Sequence, residues 1–184
     1  MKNFYRRHTQ FSQCGLNCLL CPMHLGKYCP GCGGGDGNQS CALARCAVER
    51  EVKEFCIQCS EFPCVRYKEM MEYDSFVPHS KMLQDLKRAE VLSIEAYISE
   101  LKERRIILEQ LLSGWNDGRR KTFYCTAVYL LELDDLNSAF EKIKSTVQED
   151  SSIKEKALTA VKILQSVAET RQITLKLNRK TKEK

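Results

Sequence analysis

The sequence predicts a mainly α protein, in which a small, irregular, cysteine-rich metal-binding module of short strands and turns is followed by an α-helical bundle. Ten of the eleven cysteines lie between Cys14 and Cys64. From about Ser80 onward, apolar residues recur at the spacing of amphipathic helices. The predicted divisions are the module at 1–68, a linker at 69–79, the bundle at 80–172, and a short extended segment with a basic tail at 173–184.

The cysteines of the module have the spacing of metal ligands. They occur as C-GLN-C-LL-C, C-PG-C, C-ALAR-C and C-IQ-C-SEFP-C, and two thiolates that stand two residues apart can bind one ion without strain in the backbone between them. Ten thiols predict about two four-coordinate zinc sites, each with five candidate ligands for four positions. The simplest partition is Cys14, Cys18, Cys21, Cys29 and Cys32 around the first ion, and Cys41, Cys46, Cys56, Cys59 and Cys64 around the second.

Few apolar residues separate these cysteines. Residues 1–64 are therefore expected to bury no ordinary core by themselves, and metal binding is expected to supply most of their folding free energy, up to ~10 kcal/mol per structural zinc. His24 follows Cys21 closely enough to replace a thiolate, but the surplus of cysteines favours a polar surface histidine.

An iron–sulfur cluster is the alternative cofactor. Cys14, Cys18 and Cys21 are spaced C-x3-C-x2-C, as are the three ligands of the 4Fe-4S cluster in radical S-adenosylmethionine enzymes. Those enzymes also need a partial α/β barrel, and the rest of this chain has neither the length nor the strand pattern for one. The pairing of the cysteines into half-sites favours zinc.

The cellular compartment that the sequence predicts argues against disulfide bonds. The first residues, MKNFYRRHTQFSQ, lack the apolar stretch of a secretory signal, and no run of about 18 apolar residues predicts a membrane span. The sequence therefore predicts a cytoplasmic protein, and clustered thiols in the cytoplasm are more often ligands than bridges.

The cysteine motifs also resemble a known family. The strings CGLNC-x2-C, CPGC, CALARCA and CIQCSEFPC resemble, in order and spacing, the prokaryotic domain-of-unknown-function family numbered 3795. The resemblance covers about residues 12–68 and extends more weakly, through FVPHSKMLQDLKR and WNDGRRKTFYC, to about residue 131. Asn38 stands where many members have a further cysteine. The resemblance implies a metal-binding cysteine cluster in a prokaryote and brings no established reaction.

The second half predicts five helices and one extended segment. Ser93 is a candidate cap for a long helix that stops at Gly114, and Ser152 with Glu155 forms a capping box for the last helix. Beyond it, apolar residues alternate through Ile173, Leu175 and Leu177, which predicts a short strand or an extended docking segment.

The charge pattern favours protein partners over nucleic acid. Of the 29 basic and 24 acidic residues, six basic and one acidic residue lie between Arg171 and Lys184, so the net charge of +5 belongs to this segment. A basic face with interleaved aromatic residues is absent, which argues against specific DNA binding. The basic residues of the C-terminal tail leave weak nucleic-acid contact as the alternative to a protein partner.

The eleventh cysteine provides a third function hypothesis. Cys125 follows the segment Asn116–Lys121, where Asp117 is a candidate helix cap that would place Cys125 about two turns into the helix. The basic residues of this segment would lower the pKa of a nearby thiol and could bind an anion at the helix start. A buried structural cysteine is the alternative.

Three functions remain from the sequence. The first is a zinc module that serves protein interaction, and the second is an iron–sulfur protein in electron transfer or cluster-dependent catalysis. The third is a thiol enzyme that uses Cys125. No recognisable catalytic constellation singles out a reaction.

Overall fold

The computed structural model describes residues 4–38, 40–52, 54–148 and 150–180. Across these residues the protein is mainly helical, with 57% of them in helices and no strand, which confirms the predicted α class. In place of the expected short strands, the cysteine-rich part has turns, two 3-10 turns at Cys18–Leu20 and Cys56–Gln58, and one isolated antiparallel bridge between Tyr5 and Gly34. The α-helices are α1 (Pro22–Leu25), α2 (Ala42–Glu49), α3 (Val65–Glu72), α4 (Met82–Leu92), α5 (Ile94–Gly114), α6 (Lys121–Leu130), α7 (Leu133–Thr146) and α8 (Ile153–Thr170).

The chain divides into two compact units. The first consists of Met1–Leu101 with Leu177–Lys184, and the second of Lys102–Lys176. The division falls inside α5, whereas the sequence predicted a linker at 69–79. Those linker residues lie within the first unit, together with α4.

The first unit has an apolar core that the cysteine-rich residues share with helices later in the chain. Phe11 and Leu20 are completely buried. The Phe11 ring lies between Phe55, 5.4 Å away, and Tyr97 of α5, 4.8 Å away. Residues 1–64 therefore do not need a core of their own, because α4 and the start of α5 complete one.

The second unit is held by the buried faces of its helices. α7 and α8 pack against each other, and their buried residues include Leu136, Ile143 and Leu164. The end of α6 is closed by Arg104, whose Nη1 donates to the carbonyl oxygens of Val128 at 3.0 Å and Leu131 at 2.5 Å. These are carbonyls that a helix end leaves without an internal partner.

Two predicted helix starts and one predicted stop are confirmed. The Ser93 hydroxyl accepts the Ala96 N–H at 3.3 Å at the start of α5, and Gly114 is its last residue. The reciprocal capping box of Ser152 and Glu155 begins α8.

The predicted cap of α6 is wrong. α6 begins at Lys121 with Arg120 as its N-cap. The Asp117 carboxylate instead accepts the Arg119 N–H at 3.0 Å and pairs with Arg120 Nε at 3.3 Å. Cys125 consequently lies just beyond the first turn of α6, closer to its start than expected.

The described residues after α8 form no strand. Asn178 belongs to the first unit, where Asp74 N donates to Asn178 O and Asn178 N donates to Asp74 Oδ2, both at 2.7 Å. Asn178 Nδ2 also donates to Glu72 O at 2.9 Å. Residues 181–184 of the predicted tail lie outside the described residues.

Candidate metal centre

The loop that contains the first two cysteines is tightly fixed. Ser12 Oγ accepts the Leu16 N–H at 2.7 Å and lies 3.1 Å from Cys14 Sγ. Gly15 has φ +95°, and a Cβ on it would lie 2.2 Å from Met82 O, so the loop approaches the α4 backbone in a way that only glycine permits. The loop is thus seated on α4 with its cysteine side chains at fixed places.

A buried polar chain holds the same loop from the other side. Asn17, which directly precedes Cys18 in the CGLNC motif, donates from Nδ2 to Asp85 Oδ2 at 3.0 Å. The Tyr97 hydroxyl donates to Asn17 Oδ1 at 3.1 Å. The three side chains are buried, so this network ties the cysteine loop to α4 and α5.

The first set of thiols, here called the inner cluster, gathers around Cys14. Its members are Cys14, Cys18, Cys21, Cys32 and Cys41. Burial raises the pKa of Cys14 to about 12, and the nearby Cys32 and Cys41 raise it further. Burial also raises the pKa of Cys18 well above its usual value, with contributions from Cys32, Cys14 and Cys21. Removal of the thiols from water is thus the main cause of both shifts.

Arg6 is a basic residue of the inner cluster that sequence reasoning missed. Its side chain is 0% exposed. Nε donates to Glu54 O at 3.0 Å, and Nη1 donates to Phe11 O and Cys32 O, each at 3.1 Å. Burial raises the pKa of Cys32, and the positive charge of Arg6 opposes that rise. One arginine in a polar N-terminal stretch carries no sequence signal for this role.

One nitrogen of Arg6 has no hydrogen-bond partner among the described residues. Nη2 is buried, and its nearest acidic atom is Glu54 Oε2, an ion pair at 3.5 Å. An unpaired buried donor costs about 1–3 kcal/mol. A thiolate at Cys32, unlike a neutral thiol, would be a strong acceptor for it.

The second set of thiols, here called the cavity cluster, lines a small cavity. Its members are Cys46, Cys56, Cys59 and Cys64, and the cavity has a volume of about 20 Å³. Cys46 lies on α2, Cys56 begins a 3-10 turn that ends before Cys59, and Cys64 is the N-cap of α3. Burial raises the pKa of Cys56 to about 11.

Tyr67 is the second residue that sequence reasoning missed. The residue is 2% exposed, lines the same cavity, and stands edge-on to Phe62 with ring centroids 5.3 Å apart. Its hydroxyl has no hydrogen-bond partner of good geometry among the described residues. It lies close enough to Cys56 to lower the pKa of that thiol, and burial followed by the charge of Cys56 raises the pKa of Tyr67.

Cys41 does not line the cavity that the other four cysteines of its predicted group line. Its Sγ accepts the Ala44 N–H at 3.3 Å as the N-cap of α2, and it is a neighbour of Cys14 and Cys32 as well as of Cys56. Cys29 has its carbonyl oxygen 3.1 Å from His24 Nδ1, so the His24 ring contacts backbone.

The thiols are gathered but not arranged as a finished coordination sphere. Within the described ranges, no three His, Cys, Asp or Glu side chains have the geometry to hold a metal ion, and no disulfide joins the cysteines. Cys125, the third candidate, is 1% exposed within α6. The arginine beside it in the predicted anion site, Arg120, is paired with Asp117.

Comparison with known proteins found no relative of this chain. No protein-family model, curated protein or solved structure matches the chain. The resemblance to family 3795 stays a prediction. In the part of the chain that the structure describes, every helix is too short or too polar to cross a membrane.

Proposed function

We propose that this chain is a thiolate metal-binding protein that holds about two zinc ions in its first unit. One observation carries the proposal: three buried donors lack a hydrogen-bond partner among the described residues, and two of them, Arg6 Nη2 and the Tyr67 hydroxyl, each lie beside a cysteine of a different cluster. Zinc converts the thiols that it binds into thiolates. Arg6 Nη2 and the Tyr67 hydroxyl would then each have a thiolate as a hydrogen-bond acceptor, which would explain why both donors are buried.

The role proposed for zinc is structural. A tetrahedral site filled by four thiolates leaves no open position for a substrate, and such sites contribute folding free energy directly. The loops that carry the cysteines support this role, since they are irregular and their short helices are joined by turns. The same thiol chemistry supports a reducing location, so we place the protein in the cytoplasm. The resemblance to family 3795 agrees with a prokaryotic metal-binding protein.

Elemental analysis with an absorption spectrum, on protein purified without oxygen, tests the proposal. About two zinc ions per chain and no visible band are expected for structural thiolate sites. Protein that is folded and carries no metal would overturn it. Chelation of the metal is also expected to reduce the helical structure of the first unit, and added zinc should restore it.

An iron–sulfur protein is the second candidate, and the inner cluster favours it specifically. Cys14 and Cys21 both contribute to the raised pKa of Cys18, and the C-x3-C-x2-C spacing of the three is that of the ligands of a 4Fe-4S cluster with one open iron. Iron with inorganic sulfide and a broad visible band, in the same elemental analysis, would establish this candidate in place of zinc. Electron transfer or cluster-dependent catalysis would then be its function.

We further propose that the zinc module serves protein interaction. Five apolar side chains of the first unit are more than half exposed, namely Tyr5, Tyr28, Val48, Val65 and Val91. Exposed apolar side chains mark an interaction surface where they form one contiguous patch. In a cross-linking experiment in the cells of origin, Tyr28→Ser should lose a partner that the wild type captures. Ile106→Ser, an exposed apolar residue of the second unit, is the matched control and should retain it.

A further inference from the structure

We propose that Cys46, Cys56, Cys59 and Cys64 form one closed, mononuclear zinc site, with the Tyr67 hydroxyl donating to the Cys56 sulfur and Cys41 left outside. This inference rests on the proposed function and deepens it. It chooses four ligands where the sequence left five candidates. It also adds a hydrogen-bonding residue that no cysteine motif indicates.

The cavity is small. A cavity needs about 10–15 Å³ to contain one water-sized body, and this one has about 20 Å³. A single metal ion fits that space, and four thiolates around one ion are the ligand set of a structural zinc site.

The local structure brings the four sulfurs to the cavity from three elements. Cys56 and Cys59 are the ends of one turn, in which Cys59 N donates to Cys56 O at 3.0 Å. This C-x2-C turn is a zinc half-site. Cys46 on α2 and Cys64 at the N-cap of α3 supply the remaining two positions. All four line the cavity, and Cys41 does not.

Tyr67 is the independent sign that a ligand belongs there. Its hydroxyl is buried at the cavity wall without a hydrogen-bond partner among the described residues, and its ring stands edge-on to Phe62. A metal-bound thiolate at Cys56 would be a strong acceptor for this hydroxyl. Donors that hydrogen-bond to ligand atoms orient those ligands and tune the metal.

Zinc binding would change the charge of the site. Four thiolates around Zn²⁺ carry a net charge of −2, and four protons are released to solvent when the ion binds, with no change of oxidation state. Arg50 lies at the cavity wall and pairs with Glu61 at 2.5 Å.

Stepwise zinc removal from the wild-type protein tests the ligand set. Protein loaded with zinc is treated with increasing chelator, trapped with N-ethylmaleimide, and mapped by peptide mass spectrometry. The four cavity cysteines should become labelled together, and Cys41 should follow the inner cluster. Labelling of Cys41 with the cavity cysteines, or labelling of any of the four before zinc leaves, would overturn the inference. Protein that never binds zinc would instead overturn the proposed function.

Replacement of Tyr67 by phenylalanine tests the hydrogen bond. Tyr67→Phe should keep the zinc stoichiometry but lower zinc affinity about tenfold, as loss of a supporting hydrogen bond at a metal site does. In the cobalt-substituted protein it should shift the sulfur-to-cobalt charge-transfer band. A tyrosine that only fills space would leave that band unchanged, and this result would overturn the assignment. Tyr73→Phe, at the end of the same helix, should change neither quantity.

Discussion

Arg6 satisfies the backbone at three separate places in the first unit. Its nitrogens donate to the carbonyls of Phe11, Cys32 and Glu54, and its guanidinium lies 5.0 Å above the ring of Phe55. A buried charge is tolerated only where its hydrogen bonds are made. Arg6 thereby joins the N-terminal stretch, the Cys29–Cys32 motif and the residues before the Cys56–Cys59 motif.

Replacement of Arg6 by lysine is expected to destabilise the protein. One ammonium group cannot reach three carbonyls that a planar guanidinium bridges, and the carbonyls left unpaired should lower the free energy of unfolding by about 3 kcal/mol. Urea unfolding followed by circular dichroism measures this. Arg7→Lys is the matched control, since Arg7 is exposed, and should change stability by less than about 0.5 kcal/mol. Equal effects of the two substitutions would contradict the role of Arg6.

Gly15 is required for two reasons: its φ angle is positive, and the Met82 carbonyl leaves no space for a Cβ atom. Gly15→Ala should lower the free energy of unfolding by at least about 2 kcal/mol, because alanine would adopt a positive φ and also approach Met82 O. Gly114→Ala is the control: nothing lies within 4 Å of the added Cβ, and stability should stay the same or rise by up to about 1 kcal/mol. Thermal unfolding of both variants compares them. A Gly15→Ala protein as stable as the wild type would show that the loop is not seated on α4.

At the scale of elements, the second unit is closed by contacts between helix ends. Arg171, the C-cap of α8, donates from Nε and Nη2 to the Asp135 carboxylate in the first turn of α7, at 2.9 and 2.8 Å. Two parallel hydrogen bonds give such an arginine–carboxylate pair a defined geometry. Asp135 also lies at the helix N-terminus, where negative charge is favoured.

The stabilisation from Asp135 should depend on pH. Hydrogen bonds from Arg171 hold the pKa of Asp135 below its usual value, so the contribution is present above the pKa of the unfolded chain and is lost as the pH falls through the folded pKa. Asp135→Asn should therefore cost up to about 1 kcal/mol at pH 7 and nothing at pH 2. Unfolding of the variant and of Asp134→Asn, which shares the helix start, is compared at both pH values. A pH-independent difference between the two would contradict the assignment.

At the scale of the whole molecule, the two units differ in what stabilises them. The ten clustered thiols all lie in the first unit, whereas the second has a continuous helical core and one buried cysteine. Metal binding, where it occurs, acts on folding free energy of the residues that supply the ligands. Loss of the metal should therefore destabilise the first unit and leave the second unit largely unchanged.

Metal removal is accordingly expected to loosen one unit and spare the other. With chelator and a reductant present, hydrogen exchange should rise across residues 14–64, since each of the proposed zinc sites would supply up to ~10 kcal/mol of folding free energy there. Exchange in α6 to α8 should change by far less. Mass spectrometry of the peptides gives both quantities in one experiment, and an equal rise in both units would contradict a metal confined to the first.

Some features of this protein depend only on residues close in sequence, and these could be predicted. The capping box of Ser152 and Glu155 spans three residues, so one turn of helix contains the whole interaction. The start at Ser93 and the stop at Gly114 are equally local. Amphipathic spacing then defines the helices of the second half, and clustered cysteines define where metal chemistry belongs.

Other features depend on contacts between distant residues, and only the tertiary structure decided them. The division inside α5 follows from Phe11 packing on Tyr97, which a composition change near residue 80 does not reveal. Asp117 binds neighbouring backbone in a turn in preference to capping α6. Arg6 and Tyr67 belong to no motif, and Cys41 does not line the cavity with Cys46, Cys56, Cys59 and Cys64. The chain by itself determined the helical class and the helix ends at Ser93, Gly114 and Ser152, because these arise from local geometry and residue type, while burial and pairing across the chain required the fold.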